Sequence, residues 1–324
     1  MIGKKGPASG DAGPFFDWIE GNTWLFPLKL DIMRGGITMR HSEFEIKAED
    51  GIILFAREFL PETECVGVVC LVHGLGEHAG RYSNVADLFT QEGFAMFAVD
   101  LRGHGKSQGR RGHSPSYDTL LDDIARLLEE SERTFPGKPV FLYGHSLGGN
   151  LVLNYVLRRR PSLAGVVVTS PWLRLTLEPP AYLIGIARGL AKIWPEFIQS
   201  NGLNAKYLSS DPDIVLGYEQ DSLVHARISV RMFVEVTRAG RWAVDHSSQF
   251  SLPLLLMHGS GDRITSAFAS QEFALGAGKN CTFKLWEGFF HELHNELKKE
   301  QVLKEMLSWL KDKTEVSGVG KGFR

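Results

Sequence analysis

Between Glu43 and Leu310, short β-branched runs alternate with stretches of helical periodicity. A chain patterned this way builds an α/β fold, a mostly parallel sheet covered by helices on both faces. The strand candidates are 52–59, 67–73, 95–100, 140–144, 165–170, 254–259 and 282–286. Between them, 82–92, 117–135 and 150–158 place apolar residues three and four apart, as amphipathic helices do. The alternation breaks once. After Ser170, about 80 residues pass before the next strand-like run near Leu252, too many for a connection without structure of its own. Within them, Leu183, Ala187, Leu190 and Trp194 line one helical face and Arg188 and Lys192 hold another, while Pro179, Pro180, Pro195 and Pro212 punctuate the rest.

The expected organisation is an N-terminal extension over 1–40, partly disordered, core segments over 41–171 and 252–315, a helical cap over 172–251, and a flexible tail over 316–324. Residues 1–14 are rich in Gly, Pro and Ala and have little to bury. Phe15, Phe16, Trp18, Trp24, Leu25 and Phe26 are too apolar for a solvated tail, and are expected to pack on the domain or, alternatively, to touch a membrane; Met33 and Met39 are alternative starts. The insertion leaves from the carboxyl end of a strand, where open α/β sheets place their ligands. A lid over an apolar pocket is therefore expected, the alternative being a peripheral helix packed on the core.

Thirty-six basic and 38 acidic residues leave a net charge of -2, which provides no field to draw the chain onto nucleic acid. The longest apolar runs are strand-sized, so no transmembrane helix is expected. Lys4 and Lys5 are followed by Gly, Pro and Ser instead of a continuous apolar stretch, so the cytoplasm is the expected compartment. Cys65, Cys70 and Cys281 read as reduced thiols. No His, Cys or carboxylate spacing matches a zinc or calcium site, and the glycines form neither GxGxxG nor a P-loop; no metal and no cofactor is expected.

The chemistry is concentrated in a few motifs. Gly144, His145, Ser146, Leu147 and Gly148 spell GxSxG between a strand and a helix, the context in which a serine is held exposed on a strained turn as a nucleophile. His73 to Tyr82, HGLGEHAGRY, follows another strand. In hydrolases with this elbow, such a loop supplies one backbone oxyanion donor and the residue after the nucleophile supplies the other, here Leu75 and Leu147. The serine needs a base, and the base an orienting acid, in the chain order Ser, Asp or Glu, His. Asp262 stands at the end of the apolar strand LPLLLMHG; Asp221 and Asp245, inside the insertion, are weaker candidates. Downstream, His291 directly follows a strand and Gly288, whereas His294 begins the next helix and is expected at the rim.

Together, HGLGEHAGRY, DLRGHGKSQGRR, GHSLGGN, YEQDSLVH, HGSGDRIT and EGFFHELHNE resemble, in register, the motifs of monoacylglycerol lipases and their lysophospholipase-like relatives in the α/β-hydrolase superfamily. The likeness runs from roughly Glu43 to Leu310 and implies the α/β-hydrolase fold with a helical cap. It implies Ser146, Asp262 and His291 as the triad and the Leu75 and Leu147 amides as the oxyanion hole. It also implies that Glu77, Arg81 and His294 lie near the head-group end of the pocket. Members of that family often carry a cysteine shortly after the acid; Thr265 occupies that region here, so thiol-reagent sensitivity is not implied. For 100–112, which carries Arg102, His104, Lys106, Arg110 and Arg111, a structural turn shaped by Gly103, Gly105 and Gly109 is implied. His145 is expected to pack and hydrogen-bond.

The implied function is cofactor-independent cleavage of monoacylglycerol to glycerol and a free fatty acid. Lysophospholipids or short soluble esters are the alternative substrates, and a non-catalytic binding protein on a hydrolase fold is the remote alternative. A lipid ester and peripheral membrane contact through the cap are the expected partners.

Overall fold

The structure, a computed structural model, describes residues 28–34 and 37–319. Phe15, Phe16, Trp18, Trp24, Leu25 and Phe26 lie outside the described residues. One sheet of nine strands organises the chain: β1 (Leu28–Arg34), β2 (Ile37–Lys47), β3 (Ile53–Leu60), β4 (Gly67–Val72), β5 (Phe94–Val99), β6 (Val140–His145), β7 (Gly165–Thr169), β10 (Leu254–Gly259) and β11 (Cys281–Trp286). Their order across the sheet is β1-β2-β3-β5-β4-β6-β7-β10-β11. From β5 to β11 all pairings are parallel; β1, β2 and β3 join antiparallel. A two-stranded ribbon, β8 (Ile198–Ser200) and β9 (Arg227–Ser229), sits in the insertion.

The central strands are apolar throughout because helices cover both faces. β4 reads GVVCLV and β10 LLLMHG, every residue buried. α2 (Tyr117–Thr134), whose first turn is capped by the Ser116 hydroxyl, and α3 (Leu147–Arg159) cover one face. α1 (Ser83–Gln91) and α8 (Lys299–Val319) cover the other, where Phe89, Val302, Met306 and Leu310 are buried.

All seven expected strands are present, and the described residues add structure at both ends of the expected core. Leu28–Arg34, in the part of the chain expected as an extension, pairs antiparallel with Ile37–Lys47, so that β1 forms the edge of the sheet and β2 lies between β1 and β3. Their period-two alternation, LKLDIMR then ITMRHSEFEIK, is the signal that identifies them. Helix α8 continues to Val319, four residues into the expected tail.

The insertion divides in two. α4 (Ala181–Ile193) has no fully buried residue, and with α5 (Pro212–Gln220) and the ribbon it forms the cap. α6 (Val230–Asp245) instead buries Val236, Ala239 and Ala243 in the main core. Gly240 lies so close to the carbonyl oxygens of Trp172 and Leu173 that a Cβ there would run into them. Periodicity alone places α6 in a helix, but only packing assigns that helix to the core.

Candidate active site

Four parallel strands end at the same edge of the sheet, and the loops after them carry the chemistry. Ser146 follows β6 and takes φ 54°, ψ -114°, a conformation costly for a residue with a Cβ. The turn closes only because its neighbours are glycines. A Cβ on Gly148 would strike the Val72 carbonyl oxygen, and one on Gly144 would stand 2.5 Å from the Gly148 carbonyl oxygen. The strain faces the serine hydroxyl toward His291.

His291, from the loop after β11, lies with Nε2 2.9 Å from Ser146 Oγ and Nδ1 2.7 Å from Asp262 Oδ2. Asp262, from the loop after β10, is held by the Ile264 and Thr265 amides on Oδ1, at 2.7 and 3.0 Å. The structure therefore brings together the three residues read from the motifs, although 145 positions separate Ser146 from His291. The weaker candidates lie elsewhere: Asp221 accepts from His78 Nε2 at 2.8 Å, and Asp245 ends α6. Leu147 opens α3, where its N–H has no intrahelical acceptor, and Leu75 lines the same cavity as Ser146.

Burial raises the pKa of Asp262, but the charge of His291 and the hydrogen bonds from His258 and His291 outweigh it, holding the carboxyl well below its ordinary range. Burial opposes charging His291, yet the Asp262 carboxylate prevails and lifts its pKa above the ordinary 6.5. Only neutral His291 can take the serine proton. Consequently kcat/KM should rise with pH along an acid limb whose midpoint lies above 6.5. A pH–rate profile on a soluble ester checks this; a midpoint below that value contradicts it.

The site opens into a cavity of about 550 Å³. Leu183, Ile186, Ala187 and Leu190 of α4, with Leu175 and Phe233, form an apolar wall. Trp194, expected on that face, turns away to pack against Phe197 and is 56% exposed. At the catalytic end two carboxylates reach the cavity, Glu77 and Glu292. Glu77 accepts from the Gly74 amide (2.6 Å), Tyr82 Oη (2.7 Å) and Arg81 Nη1 (2.8 Å). Arg81 grips Glu292 through both ends of its fork, at 2.6 and 2.8 Å. Despite burial, Arg81 depresses the Glu292 pKa to about 2.

Of the residues expected at the head-group end, only Glu77 lines the cavity. Arg81 sits behind it, spent on the two carboxylates. His294, expected at the rim, is fully buried and stacked on Tyr82 at 4.5 Å, with its pKa pushed down to about 4 by burial. Glu292, His258 and Ser170 were not singled out in the sequence. Ser170, at φ 45°, donates its hydroxyl to the His291 carbonyl at 2.8 Å and so anchors the loop of the base. Thr265 places its hydroxyl 2.9 Å from Asp262 Oδ2 and 3.0 Å from the Ser170 carbonyl.

Around the site, His145 bonds Thr169 Oγ1 at 3.0 Å and packs on His291. In 100–112, Asp100 accepts from Arg57, the Ala79 amide and the Lys106 amide, while Arg102 is clamped by Asp123 and Asp50; buried His104 bonds the Arg102 carbonyl. These contacts tie the turn to the oxyanion loop and to α2. Among the described residues, no group of three or more His, Cys, Asp or Glu is placed to hold a metal ion, and no helix is long and apolar enough to cross a membrane.

A serine, a histidine and a carboxylate in hydrogen-bonded series on this sheet define an α/β-hydrolase. The profile of the serine aminopeptidases, S33, matches residues 63–298, and the chain belongs to that family. Within it the likeness is to monoacylglycerol lipases, and the enzyme class is that of a carboxylic ester hydrolase. The chain is 29% identical to a monoacylglycerol lipase of Mycolicibacterium smegmatis over 85% of this chain and 98% of that protein. The crystal structure of a Paleococcus ferrophilus monoacylglycerol lipase superimposes with TM-score 0.74 at 35% identity, over 80% of this chain and 99% of the other. An abhydrolase domain-containing protein of Dictyostelium discoideum is 36% identical over 86% of this chain, which spans 30% of that longer protein.

Proposed function

We propose that this enzyme cleaves monoacylglycerol to glycerol and a free fatty acid through an acyl-enzyme. The observation that carries the reading is a hydrogen-bonded Ser146–His291–Asp262 series at the polar end of a cavity whose other wall is the apolar face of α4. As Ser146 attacks the ester carbonyl, its proton passes to His291 Nε2, and the Leu75 and Leu147 amides hold the developing oxyanion. His291 returns the proton to the glycerol oxygen as the ester C–O bond breaks. Water, deprotonated by the same imidazole, then attacks the acyl-enzyme and releases the fatty acid.

The charge at the catalytic end supports a neutral alcohol as leaving group. Glu77 and Glu292 share one cation, Arg81, so this trio, apart from Asp262, carries one net negative charge at the catalytic end. A phosphate brought within about 7 Å of that charge would cost roughly 2 kcal/mol at an effective dielectric near 20, or about 30-fold in affinity. In addition, Ile186 and Ile193, with Trp194, are exposed on and beside α4, with Arg188 and Lys192 between them. That surface supports peripheral contact with lipid, from which the acyl chain would enter.

The test is kcat/KM for monoacylglycerols of graded acyl length against lysophosphatidylcholine and p-nitrophenyl esters, with Ser146→Ala as the blank. Monoacylglycerol should exceed lysophosphatidylcholine by at least about tenfold. A reversed ratio would make the enzyme a lysophospholipase.

A further inference from the structure

A second imidazole meets the catalytic carboxylate. His258, fully buried in β10, places Nε2 3.0 Å from Asp262 Oδ2, the oxygen that His291 Nδ1 reaches at 2.7 Å. Its other nitrogen, Nδ1, lies 2.8 Å from Ser270 Oγ in α7 (Ala267–Ala277). The ionised Asp262 carboxylate can only accept, so Nε2 must carry the proton. In the neutral ring Nδ1 is then an acceptor, to which the Ser270 hydroxyl donates. The series runs from Ser270 through His258 to Asp262 on one side, and from Ser146 through His291 to the same oxygen on the other.

We propose that His258, anchored at its other nitrogen by Ser270, is a positioning residue for ester hydrolysis: it holds Asp262 Oδ2 and shares that oxygen's charge with His291. A carboxylate bonded to one imidazole lends it basicity, and a second donor on the same oxygen withdraws part of that loan. The reaction needs the compromise. His291 must be basic enough to take the serine proton and acidic enough to give it to the leaving alkoxide. His258 also occupies an oxygen that would otherwise lie buried with fewer donors. Because it donates from a rigid strand, it limits how far Asp262 can follow the moving imidazole.

The inference rests on the triad and not on the glyceride head group, so a p-nitrophenyl ester is the substrate for its test. The other charged or titratable groups facing the His291–Asp262 pair are Glu77, Glu292, Arg81, His145 and His294, and none is altered by the variants. In His258→Leu, the acid limb of kcat/KM should move up by about half a pH unit to one unit, with kcat down roughly tenfold and KM unchanged. His258→Gln carries an amide N–H at nearly the same reach and should bring the limb back to about the wild-type position. Ser270→Ala, which removes the partner of Nδ1 and loosens the ring's hold on Asp262, should shift the limb in the same direction by less. A folded His258→Leu whose limb coincides with wild type overturns the proposal, however slow the variant. If that variant fails to fold, an unshifted limb in Ser270→Ala overturns it equally. A poor result on monoacylglycerol would leave this limb measurable, so the two readings fail separately.

Discussion

Ser146→Ala should lower kcat/KM for any ester by about 10⁴- to 10⁶-fold, the span seen when a triad serine is removed and oxyanion and pocket interactions remain. His291 would then have no proton to take, while the Leu147 amide and the cavity walls stay as they are. The fold should survive, because the amide of residue 146 still donates to the Thr169 carbonyl at 3.0 Å. Ser146→Gly should be equally inactive but more stable, by on the order of 1 kcal/mol. Glycine accepts the 54° φ that the native residue occupies under strain. Titration with a fluorophosphonate, initial rates and thermal melts of the three proteins test the prediction together. Residual activity above about 1% in Ser146→Ala would remove Ser146 as the nucleophile.

The second large effect concerns Arg81. Arg81→Met should destabilise the protein by about 3–5 kcal/mol, about 4–7 °C in Tm, because Glu77 and Glu292 would be left buried together without their cation. Its pH dependence identifies the cause. In the wild type the folded pKa of Glu292, about 2, lies below its ordinary 4.5. Its ion pair therefore stabilises fully above 4.5 and is lost as pH falls from there toward 2. Without Arg81, burial pushes the same carboxyl upward with no cation to oppose it, so protonation favours the folded state. The variant should accordingly gain stability as pH drops from about 7 to 5, a range over which the wild-type ion pair contributes a constant amount. A Tm loss with no change of slope would assign Arg81 a packing role only.

Much of the site is legible along the chain because its demands are local. A hydroxyl raised on a strand-to-helix turn needs small residues two positions before and after it, and GHSLG meets that need whatever the rest of the molecule does. The strand ends that carry Asp262 and His291 are also legible, since the buried run LLLMHG precedes the first loop and the mixed strand CTFKLW the second. The pairing of Arg81 with Glu292 spans 211 positions, and neither residue differs locally from an ordinary surface charge. The same holds for His294, whose place in HELHNE suggests a rim position but whose ring lies stacked in the core.

The amino-acid order determined the strand–helix alternation, the strained elbow, the chain order of nucleophile, acid and base, and the apolar stripe of α4, because each follows from backbone sterics or the period of a single element. Only the tertiary structure decided that α6 joins the core, that 28–34 and 37–47 pair to extend the sheet, that one guanidinium is shared by two carboxylates, and that Asp262 answers to two imidazoles. Those outcomes depend on which surfaces and charges are desolvated together, and desolvation is a property of the packed assembly, not of any segment read alone.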